Sequence, residues 1–199
     1  MAPLKTKKTT SKKVKKIKKI SPKKKVVKVL GKKKGIGLKR VLHNPIISPR
    51  SYPWESKATF NPAAFTANGK VHIVYRAIGD NDSSVLGYAR SSDGFNIDER
   101  LPYFIYSRPN NFDRAKISIS PVAYISGGGW NGGCEDPRLM LLDDTVYMLY
   151  TAFDGWGSVR IALTSIKLKD FENKRWKWKE PVLISPPNEI NKNWVLFPE

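Results

Sequence analysis

The sequence predicts an all-β fold in which short antiparallel units follow one another along the chain. One run of alternating side chains, from Val71 to Ala77, begins one residue after the turn Asn68-Gly69. A second run, from Val146 to Ala152, begins one residue after the turn Asp143-Asp144. A two-residue period is that of a β-strand, and turns of this kind join the two strands of a hairpin. The two runs therefore predict two hairpins of similar design.

The two hairpins belong to one internal repeat. Pro62 and Pro137 are 75 positions apart, and Tyr75 and Tyr150 have the same separation. Repeated units of about four antiparallel strands are typical of the blades of a β-propeller. Because this unit is longer than the about 40 to 50 residues of common blade repeats, we expect an insertion, which we place between residues 96 and 121.

The repeat places Asn61 and Asp136 at equivalent positions, each directly before a proline. Because the first strand of each blade lines the central channel of a propeller, we expect both side chains to face one axial pocket. Proline favours extended geometry in the residue before it, so Asp136 is predicted at the entrance of a strand. A carboxylate held there suits proton transfer, and a turn-capping role is the simpler alternative for a single Asp-Pro pair.

The first 40 residues differ in composition from the rest of the chain. They contain 17 Lys and one Arg without any Asp or Glu, whereas the remaining residues contain 18 basic and 17 acidic side chains. Like charges with little apolar surface cannot offset chain entropy, so we expect a disordered tail over residues 1–40 and a folded domain over residues 41–199. Such a tail favours non-specific binding to nucleic acid or to an anionic surface.

The remaining elements follow in chain order. A proline-rich lead-in runs from Gly35 to Trp54, and the first blade is predicted from Lys57 to about Asp98. Tryptophan and lysine alternate from Trp176 to Lys179, which predicts the outer strand of the second blade. Leu196 to Glu199 begin a third copy of the repeat, so we expect about two blades here, as the N-terminal part of a longer protein.

Four motifs, in this order along the chain, carry a resemblance to a known family. They are Thr59 to Ala64 (TFNPAA), Val74 to Ala77 (VYRA), Glu135 to Arg138 (EDPR) and Lys192 to Glu199 (KNWVLFPE). With these motifs the chain resembles glycoside hydrolase family 130, which contains mannoside phosphorylases and related mannosidases. The resemblance runs from about His43 to the last residue and implies a five-bladed β-propeller with the sugar site on its axis.

The resemblance also implies roles for five residues. Asp136 is implied as the general acid, acting directly or through a sugar hydroxyl. Asn61 and Arg76 are implied to position the mannosyl unit, and Lys192 is implied to bind phosphate. Arg138 is implied to orient Asp136 or to contribute charge. Without the resemblance, Arg76 is predicted to be a surface residue that forms a salt bridge.

The implied reaction is inverting phosphorolysis of a β-mannoside oligosaccharide, with inorganic phosphate as co-substrate and mannose 1-phosphate as product. Phosphate is already an anionic nucleophile, so it replaces the water and the second carboxylate that hydrolysis needs. Glu135 is the less favoured acid, because neighbouring residues of a strand point to opposite faces. The alternatives are a β-mannosidase that uses water, or an inactive fragment that binds only sugar or polyanions. A homo-oligomer is left open.

Other kinds of chemistry find little support in the sequence. Cys134 is the only cysteine, so an internal disulfide is excluded and a cytoplasmic location is expected. His43 and His72 fit no catalytic triad and no metal-ligand spacing, so we expect neither a metal nor another cofactor. No apolar run in the sequence is long enough to form a transmembrane helix.

Overall fold

The computed structural model describes Gly37 and residues 40–107, 131–154 and 158–198. Strands dominate these residues, which confirms the all-β prediction, and the only described helix, α1 (Leu168–Glu172), has five residues. The described strands are β1 (Ala58–Ala67), β2 (Lys70–Ile78), β3 (Ser84–Ser91), β4 (Glu99–Arg100), β5 (Gly133–Leu142), β6 (Thr145–Phe153), β7 (Val159–Lys167) and β8 (Val182–Leu183).

The strands β1 to β4 form the first blade, in which each strand pairs antiparallel with the next. The turn between β1 and β2 is Asn68-Gly69, as predicted, and its two residues have φ angles of 47° and 69°. Tight hairpins need positive φ at these positions, and asparagine and glycine adopt it at low cost. The predicted run from Val71 to Ala77 lies within β2.

The strands β5 to β8 repeat this arrangement as the second blade. Its first turn is Asp143-Asp144, with Asp143 at a φ of 53°, and the predicted run from Val146 to Ala152 lies within β6. The repeat and the presence of two blades are therefore confirmed.

The inner strand of each blade carries a bulge at the repeated proline. The register of β1 against β2 shifts between Phe60 and Ala63. The register of β5 against β6 shifts in the same way, between Glu135 and Arg138. Proline has no N–H to donate to the ladder, and a bulge accommodates this defect.

The backbone conformation that we predicted for Asp136 is wrong, because the residue lies in the bulge. The residue is not at a strand entrance in extended geometry, because it is the fourth residue of β5 and has a φ of 49°. Asn61 has a φ of 45° at the equivalent place in β1. Asparagine and aspartate tolerate this left-handed region better than other side chains do, so the bulge selects these two residue types.

The two blades join at the inner end of β5. Ser84 of β3 pairs in parallel with Gly133, and the backbone N–H of Ser84 donates to the carbonyl oxygen of Gly132 at 2.8 Å. Gly133 has a φ of 122°, and a Cβ atom there would lie 2.1 Å from the carbonyl oxygen of Ser84. A side chain at this position would therefore separate the blades at the junction.

An apolar core fills the space between the blades. At its centre Phe171 of α1 is fully buried, and its ring makes edge contacts with several aromatic neighbours. His72 is 2% exposed, as a packed strand residue, and burial lowers the pKa of its imidazole. The rings that contact Phe171 belong to Phe65, His72, Tyr88, Trp176 and Trp178.

The opposite face of β2 packs against the lead-in segment. Glu55 is fully buried there, where it pairs with Arg50 and Arg100 and accepts a hydrogen bond from the Tyr75 hydroxyl at 2.9 Å. A buried carboxylate is tolerated only with such partners. This cluster fixes the lead-in to the first blade. The Arg76 side chain lies on the other face of β2, where it contacts the second blade.

The outer edge of the second blade differs from the prediction. The residues from Trp176 to Lys179 form no strand, and the strand that pairs with β7 is β8. The two tryptophans of the predicted strand instead pack into the core between the blades, because apolar rings are more stable there than at a wet edge. The predicted tail (except Gly37 and Arg40), most of the predicted insertion, and Glu199 lie outside the described residues.

We expect Phe171→Ala to destabilise the fold by about 3 to 5 kcal/mol, because it removes a fully buried ring and leaves a cavity between the blades. Urea denaturation followed by circular dichroism measures this change. Phe95→Ala is the matched control, since the Phe95 side chain is 55% exposed in a turn, and it should cost less than about 0.5 kcal/mol. Equal destabilisation by the two variants would contradict the role of Phe171.

Candidate active site

Polar and charged side chains converge where the inner strands of the two blades meet. They come from β1, β2, β5 and the segment after β8, and β2 and β5 contribute those that are most deeply buried. The predicted site residues Asn61, Arg76 and Asp136 are all among them, together with Lys192 and with Glu135, which was not a predicted site residue.

Arg76 of β2 is the centre of this cluster. Its side chain is 1% exposed, and its guanidinium donates from Nη1 to Asp136 Oδ1 at 3.1 Å and from Nη2 to Glu135 Oε1 at 2.8 Å. Its Nε donates to Ser84 Oγ at 3.0 Å. The prediction of a surface salt bridge is therefore wrong, because both acceptors reach Arg76 from the neighbouring blade, where water is excluded.

Asp136 receives two donors on one carboxylate oxygen. Asn61 Nδ2 donates to Oδ1 at 2.8 Å, in addition to the bond from Arg76. These donors come from β1 and β2, so the first blade sets the orientation of a carboxylate on the second blade. This contact shows that Asn61 and Asp136 meet, as equivalent positions of the repeat, and that both face one axial pocket stays a prediction.

Glu135 shares the site with Asp136, although it is the adjacent residue. The bulge interrupts the alternation of faces, so both carboxylates reach the same guanidinium, and our argument that they point to opposite faces is wrong. Glu135 is fully buried. Burial raises the pKa of its carboxyl to about 7, with a smaller contribution from Asp136, while Arg76 and Lys192 oppose the shift.

Lys192 and Arg138 lie beside this cluster. Lys192 Nζ donates to Glu135 Oε2 at 3.1 Å, and its side chain is 18% exposed. Arg138 is half-buried and donates to Asn193 Oδ1 at 3.1 Å and to the carbonyl oxygen of Pro137. Arg138 thus contacts the segment that carries Lys192, and its hydrogen bonds go there and to the backbone rather than to Asp136.

Sequence reasoning missed two residues that support Arg76. One is Ser84, which accepts a hydrogen bond from the Nε atom, and the other is Phe60, whose ring centre lies 4.7 Å from the guanidinium carbon. It also missed Glu135, for which a signal was present. A proline that repeats at the same place in two strands indicates a bulge, and a bulge brings adjacent side chains to one face.

An open cavity of about 380 Å³ lies next to the bulges. Residues of β1 and β5 line it, and Arg138 is one of those from the second blade. Its volume falls within the range of small-molecule sites in proteins. The lining residues are Pro62, Ala63, Ala64, Arg138, Leu139, Met140, Val195, Leu196 and Phe197.

The described part of the chain contains no group of three or more His, Cys, Asp or Glu side chains that could hold a metal ion. Cys134 is fully buried in the apolar core, next to Glu135 in the sequence. Among the described residues, no helix is both long and apolar enough to cross a bilayer.

The arrangement can perform two chemical tasks. A carboxyl group held by an amide and a guanidinium can donate a proton in a fixed direction. Lys192, which is more exposed than Arg76, can bind an anion through charge-assisted hydrogen bonds, while Arg76 holds both carboxylates in place. A site of this kind suits the transfer of a group between a neutral leaving oxygen and an anionic nucleophile.

Comparison with known proteins agrees with this geometry. Residues 37–180 match the model of glycoside hydrolase family 130, which is described as beta-1,4-mannooligosaccharide phosphorylase. A beta-1,2-mannobiose phosphorylase from Thermoanaerobacter sp. (strain X514) is 33% identical over 168 residues, which cover 80% of this chain and 53% of that protein. A 1,2-beta-oligomannan phosphorylase from the same organism is 34% identical, over 82% of this chain and 50% of that protein.

Solved structures give the same result. A glycosyl hydrolase from Bacteroides ovatus superimposes with a TM-score of 0.55 at 30% identity, over 72% of this chain and 40% of its own. Another superimposes with a TM-score of 0.56 at 29% identity over the same shares of the two chains. It was reported with the finding that the GH130 family of mannoside phosphorylases contains glycoside hydrolases that target beta-1,2 mannosidic linkages in Candida mannan.

The chain spans about half of the length of the curated relatives that it matches. Within that half, the family model covers most of the described fold and includes both bulges, together with Arg76 and Asp136. The four motifs predicted the same family. The chain belongs to glycoside hydrolase family 130.

Proposed function

We propose that this chain forms the first two blades of a five-bladed β-propeller enzyme that cleaves β-mannosides by inverting phosphorolysis and releases mannose 1-phosphate. The observation that carries the proposal is the buried contact of Asp136 with Asn61 and Arg76, which orients a carboxyl group two residues before Arg138, a residue that lines an open cavity. Membership of the family supports a mannoside as substrate.

Phosphate is the proposed nucleophile for two reasons. Both curated relatives are phosphorylases, one acting on beta-1,2-mannobiose and the other on 1,2-beta-oligomannan by their names. In addition, Lys192, which pairs with Glu135, is 18% exposed and is therefore closer to solvent than the buried Arg76, as a ligand of an entering anion must be. Hydrolysis is the second candidate, because the family also contains glycoside hydrolases.

In the proposed mechanism Asp136 gives its proton to the glycosidic oxygen, directly or through a hydroxyl of the sugar. Phosphate attacks the anomeric carbon from the opposite face, so the C–O bond to the leaving sugar breaks as the C–O bond to phosphate forms. Asn61 and Arg76 hold the mannosyl unit and the acid in place, and Lys192 holds phosphate. Arg138 acts indirectly, because its bond to Asn193 fixes the segment that carries Lys192.

We expect Asp136→Asn to lower kcat by about 100- to 10,000-fold with oligosaccharide substrates, because the variant keeps an acceptor for Asn61 and Arg76 but has no proton to donate. The assay measures phosphate-dependent release of mannose 1-phosphate by the full-length protein. Asp144→Asn is the matched control, since the Asp144 side chain is 73% exposed in a turn, and it should retain full activity.

A substrate with an activated leaving group separates acid catalysis from a structural role. A dinitrophenyl β-mannoside needs little protonation of its leaving oxygen, so Asp136→Asn should retain most of its rate with this substrate. An equal loss of rate with both kinds of substrate would show that Asp136 supports the site without acting as the acid.

We expect Lys192→Met to raise the KM for phosphate by about 10- to 100-fold while the KM for the mannoside changes little, because one charge-assisted contact with phosphate is lost. The initial rate is measured against phosphate concentration. Lys167→Met is the control, because the Lys167 side chain is 58% exposed and pairs with the exposed Asp144. Release of free mannose without any phosphate requirement would favour hydrolysis and would contradict this assignment of Lys192.

A further inference from the structure

The buried carboxylate of Glu135 has no role in the proposed mechanism, yet it contacts both cations of the site. Its Oε1 accepts from Arg76 Nη2 at 2.8 Å, and its Oε2 accepts from Lys192 Nζ at 3.1 Å. Its side chain is not exposed at all. A fully buried carboxylate that pairs with the proposed phosphate ligand competes with phosphate for that ligand.

The two cations differ in how easily they can change partner. Arg76 is 1% exposed, is bonded to Ser84 and to both carboxylates, and lies over the ring of Phe60. Lys192 is 18% exposed, lies outside the regular strands, and has a flexible side chain. An entering anion will therefore draw Lys192 away from Glu135, while Arg76 stays in place.

Drawing Lys192 away leaves Glu135 with too little positive charge. The groups that face Glu135 are Arg76 from β2, Lys192 from the segment after β8, and Asp136 from its own strand. In the resting cluster Glu135 is paired with both cations. A bound phosphate adds negative charge beside this group. Because an unpaired charge is strongly disfavoured in a buried site, the Glu135 carboxylate is then stabilised by protonation.

We propose that Glu135 is a positioning residue of the phosphate site, which holds Lys192 while the site is empty and takes up a proton as it yields Lys192 to phosphate. This inference rests on the proposed function. When H2PO4⁻ enters, one of its protons passes to the Glu135 carboxylate, so that HPO4²⁻ and a neutral carboxyl remain. When HPO4²⁻ enters, the proton comes from solvent. No other bond is made or broken, and the proton returns to solvent when the site empties.

The protonation equilibrium of Glu135 lies in the right range for this exchange. Burial raises the pKa of the carboxyl to about 7, so near neutral pH a modest change in its surroundings shifts its charge. Anion binding that removes Lys192 raises the pKa further, because Lys192 favours the charged form. Affinity for the anion must then fall as the pH rises above about 7, since the ionised carboxylate retains Lys192.

Sulfate is the probe for the first test, because it stays a dianion across this pH range and so reports only the titration of the protein. Its affinity is measured by calorimetry with the full-length protein from pH 6.5 to 8.5. We expect the dissociation constant of the wild type to rise about tenfold or more over this range. Glu135→Gln, which keeps the shape of the side chain and one acceptor oxygen but cannot ionise, should bind sulfate with nearly constant affinity. The same pH dependence in both proteins would overturn the proposal.

A second measurement needs no variant. Calorimetry at pH 7.5 in buffers of different ionisation enthalpy counts the protons that are taken up with sulfate, and we expect most of one proton per sulfate bound. Uptake of no proton would overturn the proposal even if Glu135→Gln fails to fold, which a circular dichroism melt detects.

The outcomes also separate this proposal from the proposed function. Phosphate-dependent release of mannose 1-phosphate without Glu135-dependent proton uptake would overturn the role of Glu135 and retain phosphorolysis. Sulfate binding with Glu135-dependent proton uptake, but without phosphate-dependent turnover, would retain the anion site and overturn phosphorolysis.

Discussion

The buried guanidinium of Arg76 is the interaction on which the rest of the structure depends. It extends from β2 of the first blade to two carboxylates of β5 in the second blade, with all three groups almost completely shielded from water. Removing such charges from water costs several kcal/mol for each ion, and this cost is offset only when each ion is paired and hydrogen-bonded. The candidate site therefore forms only when both blades are docked, so the geometry of this site and the blade junction depend on one residue.

The repeated proline explains why two acids can serve one arginine. In each blade, proline removes a donor from the inner strand, and the resulting bulge turns the residue before it into the left-handed region. At the first bulge this residue is Asn61, and at the second it is Asp136. One copy of the repeat thus supplies a neutral donor and the other an acid, and the two side chains bond to each other at 2.8 Å. The same bulge therefore places a hydrogen-bond donor in one blade and its acceptor in the other.

Sequence patterns predicted the elements better than the details of the site. The alternation along β2 and β6 and the two tight turns were sufficient to predict the blades, because side-chain period and turn chemistry are local properties. The juxtaposition of Asn61 and Asp136 followed from the repeat. Glu135 was misplaced, because strand alternation fails at a bulge, and Arg76 was expected at the surface because sequence does not show what covers a strand. The tryptophans after α1 were assigned to a strand because packing between blades is not a local property.

The blade junction has two regions, and their effects on the free energy of folding are opposite. Near the inner strands the junction contains charges, which favour chemistry and oppose folding. Around α1 it contains Phe65, Phe171 and the two tryptophans, whose burial favours folding. The buried neutral His72 belongs to the second region, and its lowered pKa keeps positive charge out of it. Because the aromatic region stabilises the junction, the inner strands can retain the Glu135 carboxyl group, whose ionised form is destabilised by burial. In our proposal this group takes up a proton near neutral pH when an anion binds.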